Sequence, residues 1–415
     1  MRIVIDLQGA QTESLRRGIG RYSIALTQEI LRQGKQHEVI VALNGLLQDS
    51  IPTIREALAG LLPEDRILTW SAIGPASFNS SENNWRRLAG ELARDYFFAS
   101  LDPDVVLVTS LFEGFNDDAI CSIRSLPDSA PTAVILYDFI PLLHPEQYVG
   151  SSLTSDWYRR RVSQCADADG WLAISAASGQ EGQKLLGLSA SRIFNISTAA
   201  DSRFRPITLE PAKKEELLER LGIRGPFVLT SGGGEYRKNV IRLIAAFARL
   251  PSELSREYQL VICGCNSDIE RKLLIESCAR RGLTSDQVLL LQHISDADLI
   301  GLYNSCSLFV FPSWYEGFGM PPLEAMQCGA PVIGANSSSL PEVIGKLDAL
   351  FDPFSVDDIA SLMTKCLTDA DFRHSLVEHG LIQSRSFSWE ETARRAIAAL
   401  EKISKSRPSR RLWRK

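Results

Sequence analysis

The sequence has no long hydrophobic run, no excess of positive charge and no regular cysteine spacing. No stretch approaches the ~20 apolar residues that a membrane-spanning helix needs. There are 45 lysines and arginines against 50 acidic residues, and this net charge of −5 argues against a nucleic-acid partner. Among eight cysteines, only Cys263 and Cys265 lie close together, with no second pair to complete a metal site. We therefore expect reduced, buried thiols and no metal ion.

Length and composition are those of a globular protein with more than one core. A chain of 415 residues exceeds the size at which single cores stop growing, so two domains are expected. Apolar residues make up 45% and charged residues 23%, which is ordinary for globular proteins. A predicted strand begins at Arg2, so we expect no signal peptide and a cytoplasmic location.

Short apolar runs alternate with amphipathic helical patterns along almost the whole chain. This alternation is typical of parallel sheets with helices on both faces. The segment from about Ala199 to Pro211 has no clear hydrophobic periodicity. It separates two halves that show the same alternation of strands and helices. We predict an α/β protein of two Rossmann-like domains facing a central cleft, with residues 1–205 in the first and 206–388 in the second. A last helix and a basic tail occupy residues 389–415.

The most informative stretch runs from Ser307 to Gly329. It predicts a buried strand, a loop with two glycines, and a helix that starts at Pro321. Free amides at a helix N-terminus attract phosphates, and glycines let a ligand approach the backbone. Glu316 before the turn and Glu324 inside the helix can accept hydrogen bonds from diols on either side of such a phosphate. A nucleotide-sugar fits this pattern; solvated surface glutamates are the alternative.

A second glycine turn, Ser231-Gly-Gly-Gly-Glu-Tyr-Arg-Lys-Asn239, follows a predicted strand and precedes a helix. Its glycines allow unusual backbone angles. Lys238 supplies an ammonium group and Arg237 a planar guanidinium group, and both can bind phosphate. A flexible turn with solvated cations is the alternative. A weaker counterpart, the glycine loop Gly18-Ile-Gly20-Arg21, follows the first strand, and a simple strand-to-helix turn also explains it.

The segment that begins at Phe311 resembles a known family signature. It has the pattern Phe-Pro-Ser-x-x-Glu-Gly-Phe-Gly-x-Pro-x-Leu-Glu-Ala-Met. It is similar to the Glu-x7-Glu motif of retaining nucleotide-sugar glycosyltransferases, which include bacterial O-antigen and polysaccharide mannosyltransferases. The resemblance covers Ile3 to about Ile403 and implies the two-domain GT-B fold, with the last helix crossing back onto the first domain. It implies transfer of a hexose, specifically mannose from GDP-mannose, onto a growing surface polysaccharide. No cofactor besides this nucleotide-sugar co-substrate is expected.

The resemblance also assigns roles to individual residues. Lys238, Glu316 and Asp138 are the catalytic candidates. Lys238 and neighbouring amides would take phosphate charge, Glu316 would hold the sugar hydroxyls, and Glu324 would bind the ribose diol. The leaving phosphate itself would accept the proton of the acceptor, in a front-face attack. The donor-binding candidates are Arg237, Gly317, Phe318, Gly319, Glu324, Gly20, Arg21, Ser175, His293 and Ile294.

Several positions depart from the family pattern or have a simpler explanation. Where many members carry an arginine after the first glycine of the phosphate turn, this chain has Gly233. Where many have a histidine before the strand-end aspartate, it has Tyr137. A turn-forming role explains Asp138 equally well. Helix capping is sufficient for Ser175, and the segment around Ser295 resembles a capping box.

Two other functions are compatible with the sequence, namely a nucleotide-sugar epimerase on the same fold and a non-catalytic scaffold subunit of a glycan-assembly complex. The tail from Lys402 to Lys415 adds seven basic residues, together with Leu412 and Trp413. A solvated tail is the default expectation. Attraction to the inner face of an anionic membrane is the alternative, and it suits a lipid-linked acceptor.

Overall fold

The computed structural model describes residues 1–16, 18–126 and 129–406, which divide into two compact units by their internal contacts. Unit 1 comprises Met1–Thr198 and the chain from Trp389, and unit 2 is Ala199–Ser388. Each unit is a parallel sheet whose strands are joined through helices, and the predicted α/β class is confirmed. The part of the basic tail beyond Ser406 lies outside the described residues.

Unit 1 is built on a parallel sheet with the strand order β3-β2-β1-β4-β5-β6-β7. Its strands are β1 (Arg2–Asp6), β2 (Glu38–Asn44), β3 (Ile67–Trp70), β4 (Val105–Val108), β5 (Thr132–Leu136), β6 (Gly170–Ala173) and β7 (Ile193–Asn195). Its helices up to residue 198 are α1 (Gly18–Gln33), α2 (Ile51–Leu58), α3 (Asn84–Ser100), α4 (Ile140–Leu143), α5 (Pro145–Tyr148), α6 (Ser152–Ala166) and α7 (Ala176–Leu186). The central strands are buried along their whole length, which explains why they read as continuous apolar runs.

Unit 2 has a parallel sheet with the order β10-β9-β8-β11-β12-β13. Its strands are β8 (Phe227–Ser231), β9 (Gln259–Cys263), β10 (Val288–Leu291), β11 (Leu308–Phe311), β12 (Val332–Ala335) and β13 (Leu350–Phe351). Its helices are α8 (Pro211–Arg220), α9 (Val240–Phe247), α10 (Ser252–Glu257), α11 (Asp268–Ala279), α12 (Asp296–Tyr303), α13 (Met320–Gln327), α14 (Leu340–Ile344), α15 (Val356–Thr368) and α16 (Ala370–Gln383). The sheet core is aliphatic and aromatic, with Phe309 and Phe311 fully buried and stacked.

The strand order reverses at one point in each sheet, between β1 and β4 in unit 1 and between β8 and β11 in unit 2. The loops that follow these two neighbouring strands leave in opposite directions, so a crevice opens at the carboxyl ends. The turn after β8 and the loop after β11 are the two segments that the sequence singled out. The topology therefore places both at the position where α/β sheets bind their ligands.

The final helix, α17 (Trp389–Ser404), packs within unit 1. Its Trp389 ring lies edge-on to Tyr22 of α1 at 5.3 Å between centroids, and Gln33 Nε2 donates to Glu390 O at 2.9 Å. Lys402 Nζ lies 5.6 Å from the ring centroid of Phe194. The chain therefore returns to its first unit after completing the second sheet.

Two local predictions need correction. Gly18 to Gly20 do not form a loop before the helix, because α1 begins at Gly18 and the connection from β1 is made by short 3-10 turns. Pro211, which the sequence placed in the linker, is the first residue of α8, where its missing amide proton costs nothing. Among the described residues, no helix combines the length and the apolar character that crossing a bilayer requires.

All eight cysteines are free thiols, and seven of them are buried, while Cys306 is half-buried. Burial disfavours the thiolate and raises the pKa of every one of them above the ordinary value. The thiols therefore stay protonated near neutral pH.

Candidate active site

The turn after β8 and the loop after β11 meet through three charged side chains. Lys238 Nζ donates to Glu316 Oε1 at 2.7 Å. Arg237 Nη1 lies 2.6 Å from Glu316 Oε2. Each oxygen of this carboxylate is thus paired with a different cation. The sequence identified these residues in two motifs 78 positions apart, and the structure brings them together.

Glu316 is an ionised carboxylate in a nearly closed environment, being only 8% exposed. Burial alone would raise its pKa, but the charges of Lys238 and Arg237 outweigh burial and hold the pKa below its ordinary value. Arg237 is shared, since its Nε also lies 2.7 Å from Glu235 Oε1. Lys238 is therefore better placed than Arg237 to respond to an added negative charge.

The glycine turn takes its shape from positive φ angles. Gly232 has φ 118° and Gly233 has φ 62°, a region that residues with a side chain rarely occupy. A Cβ on Gly233 would come within 2.3 Å of Gly264 O. This close approach leaves no room for a side chain at position 233. The aliphatic part of Lys238 packs over Gly232, where a Cβ would lie 2.9 Å from Lys238 Cδ.

Hydrogen bonds to backbone carbonyl oxygens hold this turn against the loop after β11. Trp314 N donates to Arg237 O at 3.0 Å, and Ser313 Oγ donates to the same oxygen at 3.1 Å. Asn239, which adopts φ 60°, donates through Nδ2 to Pro312 O at 3.0 Å. The position of Lys238 relative to Glu316 is thus fixed by the backbone as well as by the ion pair.

The loop after β11 leads into the N-terminus of α13 through Gly319, whose φ is 121°. Pro321 and Pro322 occupy the first turn and have no amide proton. An anion at this helix end would therefore face the backbone of the residues just before the two prolines, and the donor-binding role of Gly317, Phe318 and Gly319 stays a prediction.

Sequence reasoning missed a serine cluster, Ser337 to Ser339, that follows β12. Ser339 Oγ donates to Glu316 O at 3.0 Å and also to Phe318 O. Ser338 Oγ accepts from Glu316 N at 2.9 Å. The cluster therefore holds the backbone on both sides of Glu316. Four polar residues directly after a buried strand, Asn336 and the three serines, were the available signal.

Other candidates of unit 2 lie on neighbouring elements. Glu324 is half-buried in α13, and Tyr303 Oη donates to its Oε2 at 3.5 Å. His293 is exposed and Ile294 half-buried in the turn between β10 and α12. Ser295 caps α12 by accepting from Asp298 N at 3.1 Å, as its pattern indicated.

Three of the four candidates of unit 1, namely Gly20, Ser175 and Asp138, have local structural roles. A Cβ on Gly20 would lie 2.3 Å from Ser14 O, so glycine is required there for close packing. Ser175 is the N-cap of α7 and forms a full capping box. Asp138 Oδ1 accepts from Ile140 N at 3.0 Å, which is the turn-forming geometry. Arg21 is exposed on α1.

A buried carboxylate that the sequence did not single out lies at the reversal point of unit 1. Glu113 follows β4, is 7% exposed, and accepts hydrogen bonds from Ser110 Oγ at 2.8 Å and Thr12 Oγ1 at 2.9 Å. Ser14 Oγ donates to it at 3.1 Å. Burial raises its pKa to about 7, although the hydroxyl donors act in the opposite direction. This carboxylate links the segments that follow β1 and β4.

Glu113 gives unit 1 a predicted pH dependence. Its carboxyl is protonated in the folded chain up to about pH 7, whereas in the unfolded chain it ionises near the ordinary 4.5. Unfolding therefore releases a proton in this interval, and stability should fall as pH rises from 5 to 7, by up to roughly 3 kcal/mol. Urea unfolding of wild type and Glu113→Gln at pH 5 and pH 7.5 tests this. Equal pH slopes for both proteins would show that the carboxyl is ionised throughout.

Comparison with known proteins gives relatives along the whole chain. Residues 213–383 match the family Glycosyl transferases group 1. The serotype-specific mannosyltransferase WbdA of Escherichia coli is 38% identical over 409 residues, which are 98% of this chain and 48% of that protein. O-antigen chain mannosyltransferase B of Escherichia coli is 36% identical over 232 residues, 55% of this chain and 59% of that protein. The chain spans about half the length of the WbdA proteins it matches.

Solved structures share the fold at low identity. Anabaena HepE, crystallised with UDP, aligns with a TM-score of 0.69 at 19% identity and covers 97% of this chain and 99% of its own. WaaG, a glycosyltransferase involved in lipopolysaccharide biosynthesis, aligns at 0.64 and 16%, over 98% and 100% of the two chains. The two α/β units are thus those of the GT-B fold. Residues 213–383 of this chain are thus similar to the group 1 glycosyltransferases.

Proposed function

We propose that the chain is a retaining glycosyltransferase that moves mannose from GDP-mannose onto a growing O-antigen or similar surface polysaccharide. The observation that carries this proposal is the pairing of Lys238 with Glu316 at the strand-order reversal of unit 2. The names of the relatives, mannosyltransferases of O-antigen chains, support the choice of sugar and acceptor. The acceptor would be carried on a lipid, and the tail beyond Lys402 would approach the membrane surface.

The proposed roles follow from charge and position. A diphosphate bound at the start of α13 would meet the ammonium group of Lys238, the fork of Arg237 and the amides of residues 317–320. Glu316, held ionised by its neighbours, would accept hydrogen bonds from the sugar hydroxyls. Glu324, one helix turn further along, would accept from the ribose diol.

The chemical step is a front-face displacement. The acceptor oxygen forms a bond to the anomeric carbon while the bond from that carbon to the diphosphate oxygen breaks. The proton of the acceptor hydroxyl passes to the leaving phosphate oxygen, so no separate base is needed. While the bond to the diphosphate breaks and the new bond is still weak, the sugar has oxocarbenium character. The protein contributes by stabilising the negative charge of the departing diphosphate.

A donor screen followed by transfer tests the proposal. We expect GDP-mannose to raise the melting temperature more than UDP-, ADP- or other GDP-sugars, because a bound ligand stabilises the folded state by mass action. With a mannose-terminated acceptor, mass spectrometry should detect one added hexose, and NMR should show the anomeric configuration of the donor. Conversion of the donor without any acceptor would instead identify an epimerase. Absence of any donor binding would favour a scaffold subunit.

Gly232→Ala should disturb the site without removing any charged group. The new methyl group would overlap Lys238 Cδ, and φ 118° is unfavourable for alanine. Displacing the lysine by about 1 Å is expected to lower turnover roughly 100-fold. Gly282→Ala is the matched control, since Gly282 also has positive φ, 71°, and has open space around it. Equal mannosyl transfer rates for both variants would contradict the packing role assigned to Gly232.

We further propose that transfer proceeds without a metal ion, since the lysine, the arginine and the helix amides supply the positive charge that the leaving diphosphate needs. Turnover should therefore survive a millimolar excess of EDTA. The assay compares initial rates before chelation, after chelation and after addition of magnesium or manganese. Loss of activity with EDTA and its recovery with either ion would refute this part of the mechanism.

A further inference from the structure

Helix α3 of unit 1 turns its apolar residues toward solvent. Of its large side chains, Trp85 is 56%, Leu92 48% and Tyr96 70% exposed. The exposed positions recur every three or four residues, so they form one continuous side of the helix. We call this side the outer face of α3. It consists of Trp85, Leu88, Ala89, Leu92, Ala93, Tyr96 and Ala99, none of which is charged.

The opposite side of α3, which faces the unit, is charged. Its buried residues include Arg87, Glu91, Arg94 and Asp95. Arg94 Nη2 lies 2.5 Å from Asp6 Oδ2 of β1, and Glu91 Oε2 lies 2.6 Å from Arg160 Nη2 of α6. Rotating the helix to bury its outer face would break these ion pairs and leave unpaired charges inside. The exposure of the apolar side is therefore fixed by the folded unit.

The size of the outer face is that of an interface. Its exposed apolar surface is roughly 500 Å², in the range of the largest patch on a typical monomer, which is often functional. Two such faces packed together would bury about 1,000 Å², the area at which specific interfaces begin. A self-complementary patch of this size is what a two-fold symmetric pair requires.

The charges around the outer face oppose an anionic membrane as its occupant. Amphipathic helices that lie on such membranes carry lysines and arginines along their polar side. Here Glu82 is exposed before the helix, and Asp102 and Asp104 are exposed after it. Arg86 is half-buried beside the face, with its guanidinium 5.1 Å from the centroid of the Trp85 ring.

We propose that the outer face of α3 binds the same face of a second copy of this chain, forming a two-fold symmetric dimer. In an antiparallel pair, Trp85 of one copy lies opposite Tyr96 of the other, so the aromatic rings cover both ends. Ala89 and Ala93 leave space in the middle of the face, into which Leu92 of the second copy fits by ridge-into-groove packing. The proposal is independent of the catalytic assignment, because no residue of the outer face is a catalytic or donor-binding candidate.

Sedimentation at micromolar concentrations, with mixed charge variants, tests the dimer. Wild type should sediment as a dimer. Leu92→Glu and Leu92→Lys should each raise the dimer dissociation constant at least a hundredfold, because like charges would face each other near the symmetry axis. An equimolar mixture of the two variants should recover dimers. Leu347→Glu, at a position that is 84% exposed in unit 2, is the control and should remain dimeric.

Each other outcome overturns the proposal. Wild type that is monomeric at tens of micromolar has no such interface. Dimers that persist in Leu92→Glu, with a native circular dichroism spectrum, place the contact elsewhere. Flotation of monomeric wild type with phosphatidylglycerol vesicles, lost in Leu92→Glu, would assign the face to lipid instead. GDP-mannose binding should be the same in all folded variants, so failure of the dimer and failure of the proposed activity are distinguishable.

Discussion

Replacing Lys238 with alanine is expected to lower the turnover of the proposed mannosyl transfer by about three orders of magnitude. Among the described residues, Lys238 forms an ion pair with Glu316 at 2.7 Å, whereas Arg237 is also paired with Glu235. Loss of the lysine removes charge that would act on the departing diphosphate. Arg237→Ala should therefore cost less than Lys238→Ala, and Glu316→Gln, which keeps the shape of the side chain, about 100-fold.

Initial rates at saturating GDP-mannose, together with donor affinity from calorimetry, separate the transition-state effect from donor binding. Lys346→Ala removes a lysine paired at the surface of the same unit with Asp348, and it should retain wild-type turnover. If Lys238→Ala and Glu316→Ala both kept near wild-type rates while remaining folded, the site assignment would be wrong.

The second large effect is on stability. Arg94→Ala should destabilise unit 1 by about 3–5 kcal/mol, the usual cost of breaking a buried ion pair from one side. Arg94 is 1% exposed, and its guanidinium lies 2.5 Å from Asp6 and 3.1 Å from Asp95. Removing it would leave two carboxylates inside the unit without their cation.

Because two units need not unfold together, amide hydrogen exchange over β1 and β4 is the appropriate measurement for Arg94→Ala. Arg55→Ala provides the control, since Arg55 pairs at 3.1 Å with Glu64, whose side chain is 86% exposed. That variant should lose less than about 1 kcal/mol. A loss no greater for Arg94→Ala than for Arg55→Ala would mean that the buried pair adds nothing to stability.

The fold could be predicted largely from local pattern. Fully buried parallel strands such as Val105–Val108 and Leu308–Phe311 are continuous apolar runs, so the alternation of strands and helices is visible in the sequence. Failures came where tertiary contacts decide. β13 has only two residues and gives no periodic signal. The helical start at Gly18 depends on packing of Gly20 against Ser14, which the sequence does not show.

The site was partly predictable for a different reason. Glycine turns and paired charges after strands are local patterns, so Lys238 and Glu316 could be named separately. Their contact required the order β8 next to β11, which is a property of the sheet. The serines after β12 and Glu113 after β4 were not identified, because their importance lies in what they hydrogen bond. In a sequence, a serine at the end of a strand looks the same whether or not its hydroxyl group holds a residue of the site.

The state of the cysteines has a practical consequence for spectroscopy. All eight thiols have raised pKa values through burial, so maleimides and spin labels, which react with thiolates, should modify the native chain slowly. A single cysteine introduced at exposed Leu347 would then carry a probe without prior removal of the natural ones. With a second cysteine at exposed Ile73 of unit 1, the distance between the two probes could be followed as GDP-mannose is added.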